Sequence, residues 1–220
     1  PRVPISASLI AGLIEFAGAD RILTIDIHSE QAPGFVECPW DNLYASYSFL
    51  PELKKHFGKN LVVASPDKGG VPKATFYAEL LDAHGLVIVF KERDVMKSNH
   101  SHALDMIGNV QNKDVLIVDD IIDTAGTICN AAKLMKDRGA KSVSAAATHG
   151  IFSGPALERI NQSVLDLIFI TDTVPLTKEV AKNPKIKIIS VAPLLAEAIK
   201  CIYNGDSLSE ELIPKKNRFF

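Results

Sequence analysis

Residues 115–127 read Val115-Leu-Ile-Val-Asp-Asp-Ile-Ile-Asp-Thr-Ala-Gly-Thr127, an apolar run followed by acidic, hydroxyl and small residues. The apolar run predicts a buried strand, and the residues after the stretch show the spacing of a helix. In open α/β sheets, ligands bind beyond the carboxyl ends of the strands. The two carboxylates at the end of this strand, Asp119 and Asp120, therefore mark a candidate binding site.

The turn between this strand and the helix carries Asp123, Thr124, Ala125, Gly126 and Thr127. Such a turn offers backbone N–H groups and the positive end of the helix dipole, which suit a phosphate group. The preceding carboxylates would repel a phosphate directly, but they can accept hydrogen bonds from vicinal sugar hydroxyls nearby. The stretch thus predicts a sugar-phosphate site. The alternative is that Asp123 and Thr124 only cap the helix, although capping does not require the Asp-Asp pair.

Strands and helices alternate along the rest of the chain. Apolar runs predict further strands at 21–27, 61–65, 86–90, 142–147, 166–170 and 185–189, and helical spacing predicts helices at 5–17, 71–82, 126–138 and 192–203. This alternation predicts an α/β fold with a parallel, doubly wound sheet.

The composition and charge of the chain limit the classes of function that it can have. The 220 residues are 47% apolar and 7% aromatic, with 24 basic and 26 acidic residues and a net charge of −2. The chain has no concentration of basic residues of the kind that would favour a nucleic-acid or membrane partner. The three cysteines form no CxxC pair, which argues against a disulfide framework or a zinc site and favours a cytoplasmic location. The apolar runs are too short to cross a bilayer.

The stretch from Asp119 to Thr127 resembles the 5-phosphoribosyl-1-diphosphate binding motif that phosphoribosyltransferases share with ribose-phosphate pyrophosphokinases. This motif alone does not separate the two groups. Three further segments, at 26–44, 64–70 and 91–93, follow the pyrophosphokinase pattern in its order along the chain. The resemblance covers nearly the whole chain, and it implies the parallel doubly wound sheet of the type I phosphoribosyltransferase kind, with the remnant of a second similar domain.

The first of these segments begins Asp26-Ile27-His28 and resembles the family's Asp-x-His pair. Two residues apart at a strand's end, both side chains should face the same way. Such a pair can hold Mg²⁺ or the phosphates of ATP, directly or through water. By itself, a lone histidine at a strand's end is more often structural than a ligand.

The second segment contains Asp67, Lys68, Gly69 and Gly70 and resembles the family's diphosphate loop. Glycines let a backbone approach diphosphate oxygens closely, and Asp67 can coordinate the metal. The alternative is an ordinary connection between a strand and a helix. Lys68 stands where the family often has alanine.

The third segment, Lys91-Glu-Arg93, opens a long polar stretch and matches the Lys-x-Arg of the family's flexible catalytic loop. Phosphoryl-type transfer needs positioning and charge stabilisation more than covalent help. The resemblance therefore implies that Lys91 and Arg93 stabilise the transition state. An isolated tripeptide of this kind would more simply be a solvated turn.

Taken together, the resemblance implies a ribose-phosphate diphosphokinase that uses Mg²⁺ and ATP and acts on ribose 5-phosphate. Asp119, Asp120 and Asp123 would bind the ribose, and residues 124–127 its phosphate. Asp26, His28 and Asp67 would hold the metal, and His28 with residues 67–70 would bind the diphosphate of ATP. Two alternatives remain: a phosphoribosyltransferase that consumes the product, and a non-catalytic pyrophosphokinase-associated subunit.

The same resemblance implies two phosphoribosyltransferase-like halves, the first of them incomplete in this sequence. Residues 1–42 would be the remnant of an N-terminal domain, residues 43–190 the C-terminal domain, and residues 191–220 a helix and tail packing toward the first. It also implies a homo-oligomer, a hexamer built from dimers, because subunits in the family share their ATP sites.

Regulation by inorganic phosphate should be weak or absent. Glu30 and Pro33 stand where the commonest class of the family has the Ser and Gln of a regulatory phosphate site. A carboxylate in an anion site is repulsive. Activity measured across a phosphate titration should therefore show little activation, and a clear activation optimum would contradict this expectation.

Overall fold

The structure is a computed structural model that describes residues 6–91 and 104–212. Its strands are β1 (Ile22–Ile25), β2 (Trp40–Leu43), β3 (Leu61–Ser65), β4 (Leu86–Lys91), β5 (Leu104–Ile107), β6 (Asp114–Ile122), β7 (Ser142–Gly150), β8 (Ile168–Thr171) and β9 (Ile186–Ile189). Its helices are α1 (Ser6–Phe16), α2 (Ser46–His56), α3 (Val71–Leu80), α4 (Gly126–Asp137), α5 (Ala156–Gln162), α6 (Lys178–Ala181), α7 (Ala192–Asn204) and α8 (Leu208–Leu212).

The main sheet has the strand order β5-β4-β3-β6-β7-β8-β9, and its neighbours are parallel except β4 and β5. Its central strand β6 is buried on both faces. Val115 and Ile117 contribute to one core with α4 and α5, and Leu116 and Val118 to the other core with α2 and α3. This period of two follows from the pleat of a strand. The predicted α/β class with a mostly parallel sheet is confirmed.

The antiparallel edge strand β5 was not predicted from the sequence. Its four residues show only a short apolar pattern. They pair with β4 in a register that runs from Ile88 opposite Ile107 to Lys91 opposite Leu104. Gly108 follows β5 with φ +114°, and an added Cβ there would lie 2.7 Å from the carbonyl oxygen of Leu86. The close approach of these two edge segments therefore depends on glycine.

A second, two-stranded parallel sheet is formed by β1 and β2. Neither β2 nor α2 was predicted as a separate element. The C-terminal helices α7 and α8 pack against this sheet through a small core of Leu43, Leu194, Ala198 and Leu212. The division of the chain at residues 42 and 190 stays a prediction, and β2 lies across the first of these boundaries.

The first helix leaves apolar side chains uncovered. On α1, Leu9, Leu13 and Phe16 are exposed, while Ala11 is buried.

Within the described part of the chain, no helix has the length and apolar character that a membrane crossing requires.

Candidate active site

Two adjacent carboxylates lie on β6 beyond the end of its neighbour β3. The pairing of β3 with β6 runs to Ala64 opposite Ile117, whereas β6 continues beside β7 as far as Ile122. The strand is therefore longer than predicted, and Asp119 and Asp120 lie inside it rather than after it. Because the β3 side of β6 is open at this level, both side chains border a cavity.

His28 contacts the second of these carboxylates. Its Nδ1 lies 2.6 Å from Oδ2 of Asp120, and since a carboxylate only accepts, the proton of this hydrogen bond belongs to the ring nitrogen. The backbone N–H of Asp120 donates to Oδ1 of Asp119 over 2.8 Å. The three groups form one hydrogen-bonded unit between the segment after β1 and the middle of the main sheet.

The two carboxyl groups have opposite pKa shifts. Burial, together with the hydrogen-bonded and charged neighbour Asp120, raises the pKa of Asp119 to about 7. Burial also acts to raise the pKa of Asp120, but hydrogen bonds with Asp119 and His28 outweigh it and lower the pKa. Near neutral pH, the carboxyl group of Asp120 is therefore ionised, whereas that of Asp119 is only partly ionised.

Asp26 is buried and is held by protein groups. Its side chain is 7% exposed, and Oδ2 accepts hydrogen bonds from the backbone N–H of Ala45 at 3.0 Å and from the hydroxyl of Thr148 at 2.6 Å. Nζ of Lys73 lies 3.7 Å from Oδ1. Such a paired and hydrogen-bonded carboxylate is the kind that tolerates burial.

The Asp-x-His pair follows β1 instead of lying at the end of an extended strand. β1 ends at Ile25, before the pair, and Asp26 has a φ of +45°. The backbone therefore leaves strand geometry at Asp26, and the rule that residues two apart face the same side no longer applies. Asp26 is buried, whereas His28 is exposed, although both border the same cavity.

This cavity has a volume of about 660 Å³, within the range of small-molecule sites. It combines carboxylates, glycines, one lysine and aromatic side chains. Its lining residues are Asp26, Ile27, His28, Glu30, Gln31, Asn42, Tyr44, Ser46, Asp67, Gly69, Gly70, Pro72, Lys73, Phe76, Tyr77, Asp119 and Asp120. The structure thus brings together the predicted residues of three separate segments.

The loop between β3 and α3 forms one wall of this cavity. Oδ1 of Asp67 accepts the N–H of Gly70 at 3.0 Å, and the hydroxyl of Ser65 donates to the carbonyl of Asp67 at 2.6 Å. A Cβ at Gly70 would lie 2.7 Å from Oγ of Ser65, so a larger residue there would displace this hydroxyl from its hydrogen bond with Asp67. Lys68 is exposed and is not part of the cavity lining.

The predicted phosphate turn follows β6 and lies outside the cavity lining. α4 begins at Gly126, its N-cap is Ala125 in a left-handed conformation with φ 60°, and no side chain makes a capping hydrogen bond. The alternative that Asp123 and Thr124 serve only as side-chain caps is therefore wrong. Asp123, Thr124 and Thr127 are exposed to solvent.

The predicted catalytic pair falls at the limit of the described chain. The backbone of Lys91 ends β4, opposite Leu104 of β5, and Arg93 lies outside the described residues. Within residues 6–91 and 104–212, no three His, Cys, Asp or Glu side chains are clustered closely enough to hold a metal ion by themselves.

Several residues around the site were not assigned a role from the sequence. Lys73 and Ser46 line the cavity, and the hydroxyl of Ser46 is buried without a hydrogen-bond partner among the described residues. Thr148 and His149 reach the site from β7: Nε2 of His149 lies 3.0 Å from the carbonyl oxygen of Ile25. For Thr148 and His149, the signal in the sequence is a polar pair directly after the apolar run at 142–147.

The fold and the place of the cavity, at the carboxyl ends of parallel strands, define a doubly wound α/β protein with a ligand site at the sheet edge. A family model described as the phosphoribosyl synthetase-associated domain matches residues 87–212. The ribose-phosphate pyrophosphokinase of Helicobacter hepaticus is 49% identical over 209 residues, which cover 95% of this chain and 66% of the relative. The ribose-phosphate pyrophosphokinase of Campylobacter jejuni is 48% identical over 214 residues, which cover 97% of this chain and 67% of the relative.

The solved structures give the same result. The crystal structure of phosphoribosylpyrophosphate synthetase from Mycobacterium smegmatis matches with a TM-score of 0.85 and 36% identity, covering 93% of this chain and 66% of that one. The chain therefore belongs to the ribose-phosphate pyrophosphokinase family. It spans about two thirds of the length of the relatives that it matches.

Proposed function

We propose that the protein is a ribose-phosphate diphosphokinase. The anomeric hydroxyl of ribose 5-phosphate attacks the β-phosphorus of Mg²⁺-ATP, the bond to the α-phosphate oxygen breaks, and AMP leaves. The product is 5-phosphoribosyl 1-diphosphate. The observation that carries this proposal is the position of Asp119 and Asp120 on β6. They lie between the phosphate turn and a cavity that is walled by the loop at residues 66–70, called here the glycine loop.

The ribose side of the proposal uses β6 and the turn that follows it. Asp119 and Asp120 accept hydrogen bonds from the ribose hydroxyls, and Asp123 assists at the start of the turn. The N–H groups of residues 124–127 bind the 5-phosphate at the start of α4, where the helix dipole favours an anion. The left-handed Ala125 and the absence of a side-chain cap support this role, because they leave the first N–H groups of the helix available.

The nucleotide side of the proposal uses the cavity. The backbone at Gly69 and Gly70 approaches the diphosphate, with Asp67 and His28 beside it and Lys68 at the exposed edge of the loop. Lys73 adds a positive charge inside the cavity, 3.7 Å from Asp26. The aromatic rings of Tyr44, Phe76 and Tyr77 supply an apolar part of the lining.

The donor set fits Mg²⁺ held largely by phosphates and water. Mg²⁺ prefers oxygen ligands, keeps several waters, and is commonly bound through one or two carboxylates plus substrate phosphates. Asp67 borders the cavity as such a carboxylate, and His28 beside it would hold the ion through its free ring nitrogen or through a bound water. Since Oδ2 of Asp26 already has two protein donors, Asp26 serves the metal through Oδ1 or through water. Bound Mg²⁺ neutralises charge on the transferred diphosphate.

Lys91 and Arg93 complete the proposal as the cations that neutralise the transferred group in the transition state. The backbone of Lys91 ends β4, and the neighbouring strand β3 leads into the glycine loop. This pairing supports a position for Lys91 at the same edge of the sheet as the loop.

A homo-oligomer is also part of the proposal, and the exposed apolar side chains of α1 support it.

The test is AMP formation from ATP and Mg²⁺, measured with and without ribose 5-phosphate. We expect sugar-dependent AMP from the unchanged protein, and a loss of at least about a hundredfold in Lys91→Ala, because a cation that acts mainly in the transition state is removed. Lys59→Ala, an exposed lysine just before the start of β3 and so at the end of that strand opposite residues 67–70, is the matched control and should keep full activity.

Two results would contradict the proposal. AMP formation that does not depend on ribose 5-phosphate would exclude this sugar as the acceptor. Measurable binding of ribose 5-phosphate without any AMP would limit the function of the chain to the sugar half of the site.

A further inference from the structure

Arg159 on α5 contacts the backbone of the phosphate turn. Its Nη1 donates to the carbonyl oxygen of Thr124 over 2.9 Å. A Cβ added at Gly126 would lie 3.4 Å from the same nitrogen, so the guanidinium lies against the backbone where α4 begins. This contact joins two elements 35 residues apart in sequence.

The contact fixes the direction of the next peptide N–H group. A trans peptide is planar, and its C=O and N–H point to opposite sides. When Arg159 holds the carbonyl of Thr124, the N–H of Ala125 in the same peptide unit must point away from Arg159. This orientation matters because Ala125 is left-handed, with φ 60°, a conformation that costs a non-glycine residue energy and needs support from its surroundings.

The N–H groups that this turn presents are available for an anion. The first backbone hydrogen bond at the start of α4 runs from the N–H of Cys129 to the carbonyl of Ala125, at 3.1 Å. In the described part of the chain, the N–H groups from Ala125 to Ile128 donate to no protein acceptor. They are the unpaired donors that every helix start leaves.

The segment before α5 holds the other end of the same turn. The N–H groups of Ile151 and Phe152 donate to the carbonyl of Ile122, at 2.9 and 3.2 Å, and that of Ser153 donates to the carbonyl of Asp123 at 3.0 Å. The carbonyls of residues 122–124 are thus all bound by residues 151–153 and Arg159. The unpaired N–H groups that follow them, from Ala125 to Ile128, are left for the ligand.

The charge of Arg159 is not used by an ion pair. No carboxylate of the described residues lies within 4.0 Å of its guanidinium, and the side chain is exposed. A positive charge beside the start of α4 adds to the helix dipole and favours an anion there.

We propose that Arg159 is a positioning residue for the 5-phosphate of the sugar substrate. It holds the carbonyl of Thr124 away from the ligand, aims the N–H of Ala125 toward the phosphate, and adds a positive charge beside the turn. This inference rests on the proposed function for the identity of the ligand. It assigns a role to a side chain that the sequence motif, which ends at Thr127, does not contain.

The test measures the dissociation constant for ribose 5-phosphate by isothermal titration calorimetry in Arg159→Ala, Arg159→Lys and the unchanged protein. Arg159→Ala should weaken binding roughly tenfold, because one hydrogen bond and one charge beside the phosphate are lost. Arg159→Lys keeps the charge and a donor without the planar fork, and should recover affinity to within about threefold of the unchanged protein. Arg138→Ala removes an exposed arginine at the far end of α4, where it pairs with Asp105, and should bind normally.

Steady-state kinetics separate positioning from a general loss of structure. In Arg159→Ala, the KM for ribose 5-phosphate should rise while the KM for ATP and the melting temperature stay unchanged. A well-folded Arg159→Ala with unchanged ribose 5-phosphate affinity would overturn the inference. If Arg159→Ala does not fold, Arg159→Gln decides, because it removes the charge with a smaller loss of volume, and unchanged ribose 5-phosphate affinity in that folded variant contradicts the role.

The outcome is separable from that of the proposed function. If the unchanged protein binds ribose 5-phosphate but releases no AMP, the proposed reaction fails while the calorimetry still decides the role of Arg159. If the unchanged protein does not bind ribose 5-phosphate, both assignments are overturned.

Discussion

Replacing Asp120 by Asn should lower kcat/KM for ribose 5-phosphate by roughly a thousandfold, because two interactions of a charged acceptor, each worth about 1.5–3 kcal/mol, are weakened together. One is the proposed hydrogen bond from a ribose hydroxyl. The other is the 2.6 Å contact with Nδ1 of His28, which places the histidine beside the glycine loop. The measurement is the rate of AMP formation at varied ribose 5-phosphate with saturating Mg²⁺-ATP.

The matched control for this substitution is Asp137→Asn. Asp137 is the last residue of α4 and is exposed, so the same isosteric loss of charge occurs at the other end of the strand–helix unit. Its activity should equal that of the unchanged protein. A loss of less than about tenfold in Asp120→Asn would show that the carboxylate makes no charged contact of this strength with the substrate.

The central part of the fold was predictable because its signals are local. In β6, four consecutive apolar residues followed by two carboxylates describe a strand buried on both faces that emerges at a ligand edge. In α4, buried Ile128, Ala131 and Met135 follow the helical spacing. The phosphate turn lies between these elements, so its position followed from them without any long-range information.

The surroundings of Asp26 could not be predicted, because they depend on contacts distant in sequence. Thr148, which donates to its carboxylate, is 122 residues away, and nothing in the Asp-x-His spacing indicates that partner. The turn inward at Asp26 also requires a left-handed backbone, whereas the apolar run before it predicted a strand continuing through the pair. Propensity was overridden here by tertiary hydrogen bonds.

These distant contacts join the two sheets at the site. Nε2 of His149 lies 3.0 Å from the carbonyl of Ile25 at the end of β1, and Thr148 on the same strand holds Asp26. The segment that carries His28 is thereby fixed against β7, the strand next to β6. His28 can then reach Asp120, which explains how a residue of the segment after β1 becomes part of the unit that lines the cavity.

Asp119→Asn should make the protein more stable at pH 8 relative to the unchanged protein, while strongly reducing activity. The pKa of Asp119 is raised from 3.8 to about 7, first by burial and then by Asp120. The unfolded chain ionises this group near pH 4, but the folded protein keeps the proton until about pH 7. Between these values the folded state binds more protons, so the contribution of Asp119 to stability falls as pH rises.

Asparagine imitates the protonated form of Asp119. Its oxygen can still accept the N–H of Asp120, as Oδ1 does at 2.8 Å, and its amide can donate to the neighbouring carboxylate, but it does not ionise. Urea unfolding without Mg²⁺ should therefore give a variant that is slightly more stable at pH 5, because the unfolded chain is already ionised there, and this advantage should grow by on the order of 1–2 kcal/mol between pH 5 and pH 8. Asp137→Asn should follow the unchanged protein at both values. A difference that does not grow with pH would mean that Asp119 ionises in the folded protein as easily as in the unfolded chain.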